Sequence, residues 1–460
     1  MNIATRIHDV LYGNIKISEL AKHFIDTVEF QRMHYIKQLS TCYLIYPNAT
    51  HTRFEHSIGT YHLCGKMLEQ IKLNVDEKEL NEYLGTIPEL KKTFDDIYKC
   101  NTLYKSLVPY LCELIKIAAL CHDIGHGPFC HSFDEYFHDH KTKSPFMKHE
   151  IRSGIIINNI IKNSEYLRNI ITDDEIEFIK NIINPKPDNV GFLYQIVSNY
   201  ANSLDVDKCD YIVRDVYVLG MKSSFDCTRL LEEVKIINNN ICYNYHSSND
   251  IFNLFDARNK MFRQVYCYCK VVGCHLMFCD YIKYINNIVN IEDIIINFDK
   301  KENYDHFIEL TDSYILQLPK ILKRYCPTIN VNICNGIETH QIYKWCVTIL
   351  SVSNIDVTNW EYINDDNVVI YDSKIGYITG NNKLNPLDNV YLYDKCNNIK
   401  LMNKNDISLM IPDIYQERIF MVFSKIKDNE FIKSIQISLN KYILNKYPNN
   451  NYNINNAGSI

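Results

Sequence analysis

His122 and Asp123 are adjacent in the run Leu120-Cys121-His122-Asp123-Ile124-Gly125-His126-Gly127-Pro128-Phe129. An imidazole beside a carboxylate is a mixed donor pair, the kind that holds a divalent cation able to polarise a phosphate. The pair closes an apolar stretch, Leu107 to Leu120, and two glycines and a proline follow. It therefore reads as the C-terminal end of a buried helix whose side chains reach a cleft. Alone, a single His-Asp pair in a chain of this length favours a hydrogen-bonded core pair. Two other segments shift the balance. His56 lies in His51-Thr52-Arg53-Phe54-Glu55-His56-Ser57 at a helix start, and Asp207 lies in Leu204-Asp205-Val206-Asp207-Lys208-Cys209-Asp210-Tyr211 at another. His56, His122, Asp123 and Asp207 make a two-imidazole, two-carboxylate set that suits Fe, Mn, Zn or a similar ion, with positions left for water and substrate.

The elements that must position these groups are mostly helical. Phe54, Ile58, Tyr61, Gly65, Leu68 and Ile71 recur on one helix face, and Leu107, Leu111, Leu114, Ile115, Ala118 and Ala119 do so for the helix ending in His122-Asp123. A charged insertion, Asp76 to Asp96, separates the two. Further helices are expected at 150–163, 173–183, 192–200, 206–219 and 251–288. On the 206–219 helix each residue turns about 100°, so Asp207, Lys208, Tyr211 and Asp215 share one arc of roughly 100°. Val206, Cys209, Ile212, Val213 and Val216 form an apolar arc opposite. A polar arc of this kind is by itself most simply solvated. The first stretch, Ile7 to Leu20, reads as a small hairpin about Gly13-Asn14.

After Cys326-Pro327 short β-rich runs appear, such as Val368 to Tyr371 and Val390 to Tyr393, with Gly380-Asn381-Asn382 as a turn and a last helix near 430–444. The expected architecture is mainly α. An all-α domain spans 1–325, a smaller α+β lobe spans 326–446, and the Asn-rich 447–460 is a disordered tail. The chain has 460 residues, 46% hydrophobic and 23% charged, which is globular. A net charge of −6 gives no general pull toward nucleic acid or an anionic membrane. No run approaches the roughly 18 apolar residues of a membrane span. The start lacks an apolar signal region, so a cytoplasmic or nuclear, non-secreted setting with reduced thiols is the expectation for its 17 cysteines.

With these words in view, the order His56, His122-Asp123, Asp207 resembles the HD-domain metal-dependent phosphohydrolases. Asp26-Thr27-Val28-Glu29-Phe30-Gln31-Arg32, Tyr35-Ile36-Lys37-Gln38-Leu39, Thr52 to Gly59, Asp205-Val206-Asp207-Lys208 and Asn385-Pro386-Leu387-Asp388-Asn389-Val390 narrow it. They resemble the deoxynucleoside triphosphate (dNTP) triphosphohydrolases of that superfamily, of the vertebrate SAM-and-HD-domain type, without a SAM domain. The likeness covers most of residues 5–440. It implies metal-dependent cleavage of a dNTP to deoxynucleoside and inorganic triphosphate, lowering dNTP pools. It assigns His56, His122, Asp123 and Asp207 to an Fe, Mn, Zn or Mg ion, with a second Mg entering with substrate. It makes His131 the acid for the leaving 5′ oxygen, oriented by Asp134, and puts His126 and His149 near the phosphates. Arg53 and Lys208 neutralise phosphate charge. Gln38 and Asp215 bind the sugar 3′ hydroxyl and Tyr211 lies beneath the deoxyribose. Leu39, Arg258 and Tyr266 line the substrate pocket. The glycines after Asp123 would let the loop turn so that His126 and His131 face the phosphates.

The resemblance also implies a homo-oligomer, dimer or tetramer, activated by GTP and dNTPs. Asp26, Gln31, Arg229, Lys344 and Lys395 match regulatory positions. His34 and His340 stand where the family has arginines, and Asn244, His246, Asp250 and Gln264 replace a mostly basic set. Fewer fixed charges weaken a triphosphate site, so altered regulation is expected beside an intact catalytic pocket. Phe262 replaces a histidine near the substrate. Other readings of the residues are an HD phosphohydrolase acting on nucleoside monophosphates or cyclic nucleotides, and a catalytically idle nucleotide or single-stranded nucleic-acid binder. Arg53, Lys208 and Tyr211 argue against the first, and intact metal ligands argue against the second. The overall acidity lends nucleic-acid binding no support.

Overall fold

The computed structural model describes residues 2–98, 107–138, 143–377, 385–408, 411, 413–448 and 452–458. The protein is mainly α, as expected. An N-terminal hairpin pairs β1 (Ile3–Asp9) with β2 (Gly13–Ser18). Its turn is Val10 to Tyr12, and Gly13 opens β2 with φ +68° rather than sitting in the turn.

Six helices surround the site. Helix α1 (Arg53–Asn74) starts at Thr52, whose backbone N–H donates to Glu55 Oε2 at 2.9 Å, closing the exposed first turn from within. Helix α2 (Pro109–Cys121) begins on a proline, whose missing N–H costs nothing there, and runs almost wholly buried to His122. Next come α3 (His131–His138), α4 (His149–Asn163) and α5 (Asp173–Ile183). Helix α6 (Val206–Val218) is capped by Asp205, which accepts from Lys208 N–H at 3.0 Å. Leu111, Leu114, Ala118, Ile58, Tyr61 and Leu68 are fully or almost fully buried in one core shared by α1 and α2. That core is what fixes the ends of these helices relative to one another.

The Asp76–Asp96 insertion, for which the sequence suggested no element, carries helices at Glu77–Leu84 and Lys91–Tyr98. Several expectations are corrected. The 192–200 segment makes only a short turn, Phe192–Gln195. The 251–288 helix is broken. Helix α7 (Ser248–Met261) passes through a wide π-turn, in which Cys267 N–H donates to Phe262 O at 2.7 Å, before α8 (Cys269–Val289) starts. The first 325 residues are not all-α. Strands β3 (Val234–Ile237) and β4 (Asn240–Asn244) form a hairpin, and β7 (Tyr391–Tyr393) adds parallel to β4 with β8 (Ile399–Leu401) outside it. The later part of the chain is thus stitched into the earlier part.

The second sheet has the order β10-β5-β9-β6, with β5 (Lys344–Ser351), β6 (Val368–Gly376), β9 (Gln416–Ser424) and β10 (Tyr452–Asn456). Alternate residues of β9 face opposite ways. Phe420 and Val422 pack with Ile435, Leu439 and Ile443 of α9 (Asn429–Lys446), whereas Ile419, Met421 and Phe423 pack with Val272 and Leu276 of α8. The tail is not disordered over its whole length. Tyr452–Asn456 pairs antiparallel with β5, and Ile454 packs on the sheet core. Its alternating Tyr-Asn-Ile-Asn pattern is the period of an edge strand, masked in sequence by the surrounding asparagines. The Gly380-Asn381-Asn382 turn lies outside the described residues. Among the described residues, no helix is long and apolar enough to cross a membrane.

Candidate metal centre and active site

The ends of α2 and α6 and the first turn of α1 meet at one place. His56, His122 and Asp207 bring one donor atom each within 4.8 Å of one another. His56 Nε2 lies 3.1 Å from Asp207 Oδ1 and 3.4 Å from Asp123 Oδ2, and His122 Nε2 lies 3.5 and 3.4 Å from the same two atoms. The far nitrogens are already committed. His122 Nδ1–H donates to Ala119 O at 2.8 Å, and His56 Nδ1–H to Asp210 Oδ2 at 2.8 Å. Both Nε2 atoms are buried and have no hydrogen-bond partner. A buried, unpartnered acceptor is costly, and two of them converging with two carboxylates suit a cation. The residues therefore fit a divalent metal with His56, His122, Asp123 and Asp207 as its donors.

Asp210, for which sequence reasoning had no role, completes this arrangement. It is fully buried, binds His56, and takes Arg214 Nε and Nη2 at 2.9 Å each. Arg214 Nη1 reaches Asp9 Oδ2 at 2.8 Å. Burial pushes the Asp210 pKa up, but the Arg214 guanidinium outweighs it and holds the carboxyl below its ordinary range. Gly59 makes the approach feasible, because a Cβ there would collide with Asp210 Oδ1 and Arg214 Nη2. Asp123, Asp207 and Asp210 crowd the His56 ring, a concentration of negative charge that a cation would balance. Burial likewise opposes the Asp123 charge, and Arg53 overcomes it. Asp123, Asp207 and Asp210 are thus held ionised.

A second histidine group adjoins. His126 and His149 rings stack at 3.9 Å, and His131 stands 5.0 Å from His126. His126 is buried, its pKa lowered to about 4 by burial and by Arg53; it is neutral near pH 7. Asp134 does not hydrogen-bond His131 as expected. Its carboxylate takes His126 Nδ1 at 3.1 Å and Arg152, and His131 stays exposed beside it.

A cavity of about 550 Å³ opens from this centre. Arg53, Lys208, Gln38, Leu39, Tyr211, Asp215, Arg258 and Tyr266 all line it, with His122, Asp123, His131, His149 and Asp207. Arg53 is paired with Asp123 and donates through Nε to Cys130 Sγ at 3.1 Å. Lys208 Nζ is 3.0 Å from Asp205 Oδ2. Gln38 Oε1 is buried without a partner. Arg258 Nε donates to the Tyr211 hydroxyl at 3.2 Å and lies over the Phe262 ring at 4.5 Å. Asp215 is held on both sides, by Tyr266 Oη–H at 2.6 Å and by His51 Nε2 at 2.7 Å. His51 is a second residue whose part was missed; it stands two residues before Arg53, and only the distant Asp215 reveals it.

The regulatory matches do not gather. Asp26 pairs with Lys22, and Gln31 Nε2 donates to Ile25 O at 2.9 Å. Arg229, on the short helix Cys227–Glu232, faces Asp250 at 3.6 Å. Lys344 is exposed at the start of β5 and Lys395 in the turn after β7. His34 stacks on Phe54 at 3.6 Å.

Comparison with known proteins decides the family. The HD domain model matches residues 103–206. A putative HD domain-containing protein of Acanthamoeba polyphaga mimivirus is 36% identical over 438 residues, covering 88% of this chain and 87% of that protein. The chain belongs to the HD-domain family. This HD-domain protein is also similar to a Dictyostelium discoideum protein named deoxynucleoside triphosphate triphosphohydrolase SAMHD1 homolog. That match is 28% identical and covers 99% of this chain and 84% of the relative. The Homo sapiens deoxynucleoside triphosphate triphosphohydrolase SAMHD1 is 28% identical, over 92% of this chain and 71% of its own length. The match to the HD model ends one residue before Asp207, the fourth of the residues that fit a metal in this HD-domain protein.

Proposed function

We propose that this HD-domain protein hydrolyses deoxynucleoside triphosphates to deoxynucleoside and inorganic triphosphate, lowering dNTP levels. The observation that carries the reading is the pair of buried, unpartnered Nε2 atoms of His56 and His122 facing Asp123 and Asp207. His122, Asp123 and Asp207 line a cavity that is also walled by Arg53 and Lys208. Relatives named for this activity support it.

A divalent cation, when bound by these four residues, supplies Lewis-acid chemistry toward a phosphate. The chain does the rest. Arg53 and Lys208 balance the charge of the triphosphate, Arg as a planar fork and Lys as a point charge. Gln38 Oε1 accepts from the sugar 3′ hydroxyl, and Asp215 is pre-set by His51 and Tyr266 for the same group. Tyr211, pinned by Arg258, closes the space beneath the ribose, where a 2′ hydroxyl would collide. His131 delivers the proton to the departing 5′ oxygen. His126 and His149 border the phosphate path, and the Asp134–Arg152 pair fixes His126 behind it. Activation by GTP or dNTP and assembly into a homo-oligomer belong to the same reading. Asp26, Gln31, Arg229, Lys344 and Lys395 sit on separate elements of one chain, so a site built from them would draw on more than one copy.

The test is a product assay with each dNTP, with and without GTP, reading the leaving group by mass spectrometry. Intact triphosphate is expected, and its loss in His122→Ala. Release of only orthophosphate or pyrophosphate, or full activity of His122→Ala, would reject the proposal.

A further inference from the structure

A second cavity, of about 470 Å³, lies between β2, α1 and α2, and it shares no lining residue with the cavity of the metal centre. Its floor is a buried carboxylate, Glu113 of α2. Glu113 Oε1 accepts from Ser18 Oγ at 2.6 Å and from Tyr61 Oη at 2.7 Å, and Oε2 accepts from Lys116 Nζ at 2.9 Å. Lys116 Nζ also donates to Tyr61 Oη at 2.8 Å and lies 4.1 Å from the centre of that ring. Burial opposes charge on Lys116, but Tyr61 and Glu113 outweigh it and hold the ammonium charged. An ammonium carries three donors, so one remains for a ligand. Gly65 of α1 leaves room for the Lys116 stem, because a Cβ there would lie 3.3 Å from Lys116 Cε. A glycine inside a helix is unfavourable relative to alanine, so its place here answers to that close approach.

A buried carboxylate needs partners, and that alone accounts for Ser18, Tyr61 and Lys116. It does not account for three more lysines on the same cavity. Lys16 of β2 and Lys66 and Lys72 of α1 line it, are exposed, and enter no ion pair among the described residues. Four lysines therefore meet two carboxylates, Glu69 and Glu113, and Glu113 is already engaged on the floor. The chain as a whole carries a net charge of −6, so this is a local reversal of sign. Like charges around a concave wall repel one another and concentrate the positive field within it. An anion with several charged oxygens relieves that repulsion. Lys66 and Lys72 are about 9 Å apart along the axis of α1 at 1.5 Å per residue, a spread that suits a chain of phosphates better than a single one. None of the positions matched to regulatory nucleotides, such as Asp26, Arg229 or Lys344, lines this cavity.

We propose that this cavity is a second anion site, which takes an oligophosphate chain, inorganic or carried by a nucleotide, against Lys16, Lys66, Lys72 and Lys116. It stands apart from the dNTP reading above, and its failure would leave that reading untouched. The catalytic cavity has cations of its own, Arg53 and Lys208, so the experiment must locate the anion as well as detect it. Lysine acylation of the full chain, read by peptide mass spectrometry, is compared with sodium triphosphate, ATP, or sulfate at equal ionic strength. Lys16, Lys66 and Lys72 should be protected by the phosphate chain, and exposed lysines away from the cavity lining, such as Lys301, should not. Protection by triphosphate alone assigns the inorganic chain, and protection by ATP assigns a nucleotide's. Equal protection by sulfate, or none by triphosphate or ATP, would overturn the proposal. In calorimetry the double variant Lys66→Gln, Lys72→Gln should bind the protecting anion at this site about tenfold more weakly, the order of one hydrogen bond to a charged group. Its Tm without ligand should not fall, because repulsion is relieved and no contact is lost. Unchanged binding, or a fall in Tm that marks the two lysines as structural, would count against the site.

Discussion

Replacing Asp210 by Asn should weaken metal binding without removing any metal donor. The side chain keeps its shape, but His56 Nδ1 loses the carboxylate that it donates to at 2.8 Å. A ligating histidine whose orienting carboxylate is removed typically loses 10- to 100-fold in metal affinity, which is about 1.4 to 2.8 kcal/mol. The same change leaves the Arg214 guanidinium, 1% exposed, facing only Asp9. Removing one partner of a buried ion pair costs about 3 to 5 kcal/mol, and the surviving Asp9 contact at 2.8 Å places the expected loss near the lower figure. The two effects separate with a control. Asp9→Asn removes the other carboxylate from Arg214 but does not touch His56. Calorimetric titration with Mn2+ and thermal unfolding with and without the metal read both. Asp210→Asn should lose affinity and stability, and Asp9→Asn mainly stability. Wild-type affinity in a folded Asp210→Asn protein would refute the reasoning, as would an equal loss of affinity in Asp9→Asn.

Two more predictions follow from packing and charge. Gly59→Ala should be worse than Asp210→Asn in both respects, because its Cβ would displace the Asp210–Arg214 pair from α1; a soluble variant with wild-type Tm and metal affinity would contradict this. Asp312 is buried, and burial raises its carboxyl pKa from 3.8 to about 6, although it accepts from Lys37 N–H and Phe129 N–H at 2.9 and 2.7 Å. Between those values the folded state binds the proton more tightly than the unfolded state, so this group's contribution to stability falls as pH rises through that window and is constant above it. At 1.36 kcal/mol per unit the change is about 3 kcal/mol. Urea unfolding of wild type and Asp312→Asn at several values from pH 4 to 7 should show the variant gaining relative stability by that amount, and a pH-independent difference would exclude it.

The four donors were legible because each stands in a local word with its neighbours, and because α1, α2 and α6 carry apolar periods that leave one orientation for their ends. Asp210 was not legible as a function, although its position held a signal. At 100° per residue it falls roughly 40° from Val206 on the apolar arc of α6, a carboxylate where the core should be. A buried charge requires a partner, and the partner, Arg214, is one turn along. What no local pattern could supply was the third member, His56, 154 residues away. His51 was hidden in the same way, its partner Asp215 lying 164 residues off, as were β10 and the pairing of β7 with β4, whose partner strands lie far off in the chain.

The loop after Asp123 shows how such distant contacts overrule local rules. Glycines are the residues expected to turn a chain, and the loop has two of them. Neither takes a left-handed conformation. Gly125 is there because a Cβ would strike His149 O and Ser153 N of α4, and Gly127 because one would strike the Phe133 ring. The left-handed residues are instead Phe129 and Cys130, at φ 59° and 51°. Each costs about 1 to 2 kcal/mol in an ordinary side-chain-bearing residue. The offsetting contacts are distant. Phe129 N–H donates to Asp312 Oδ1, 183 residues away, and Cys130 takes Arg53 at Sγ and reaches Lys37 O at 3.0 Å. One carboxylate, Asp312, thereby ties the Lys37 segment that carries Gln38 to the loop that carries His131. The strain sits immediately before the proposed acid, so relaxing the Asp312 anchor should move His131 and Gln38 together.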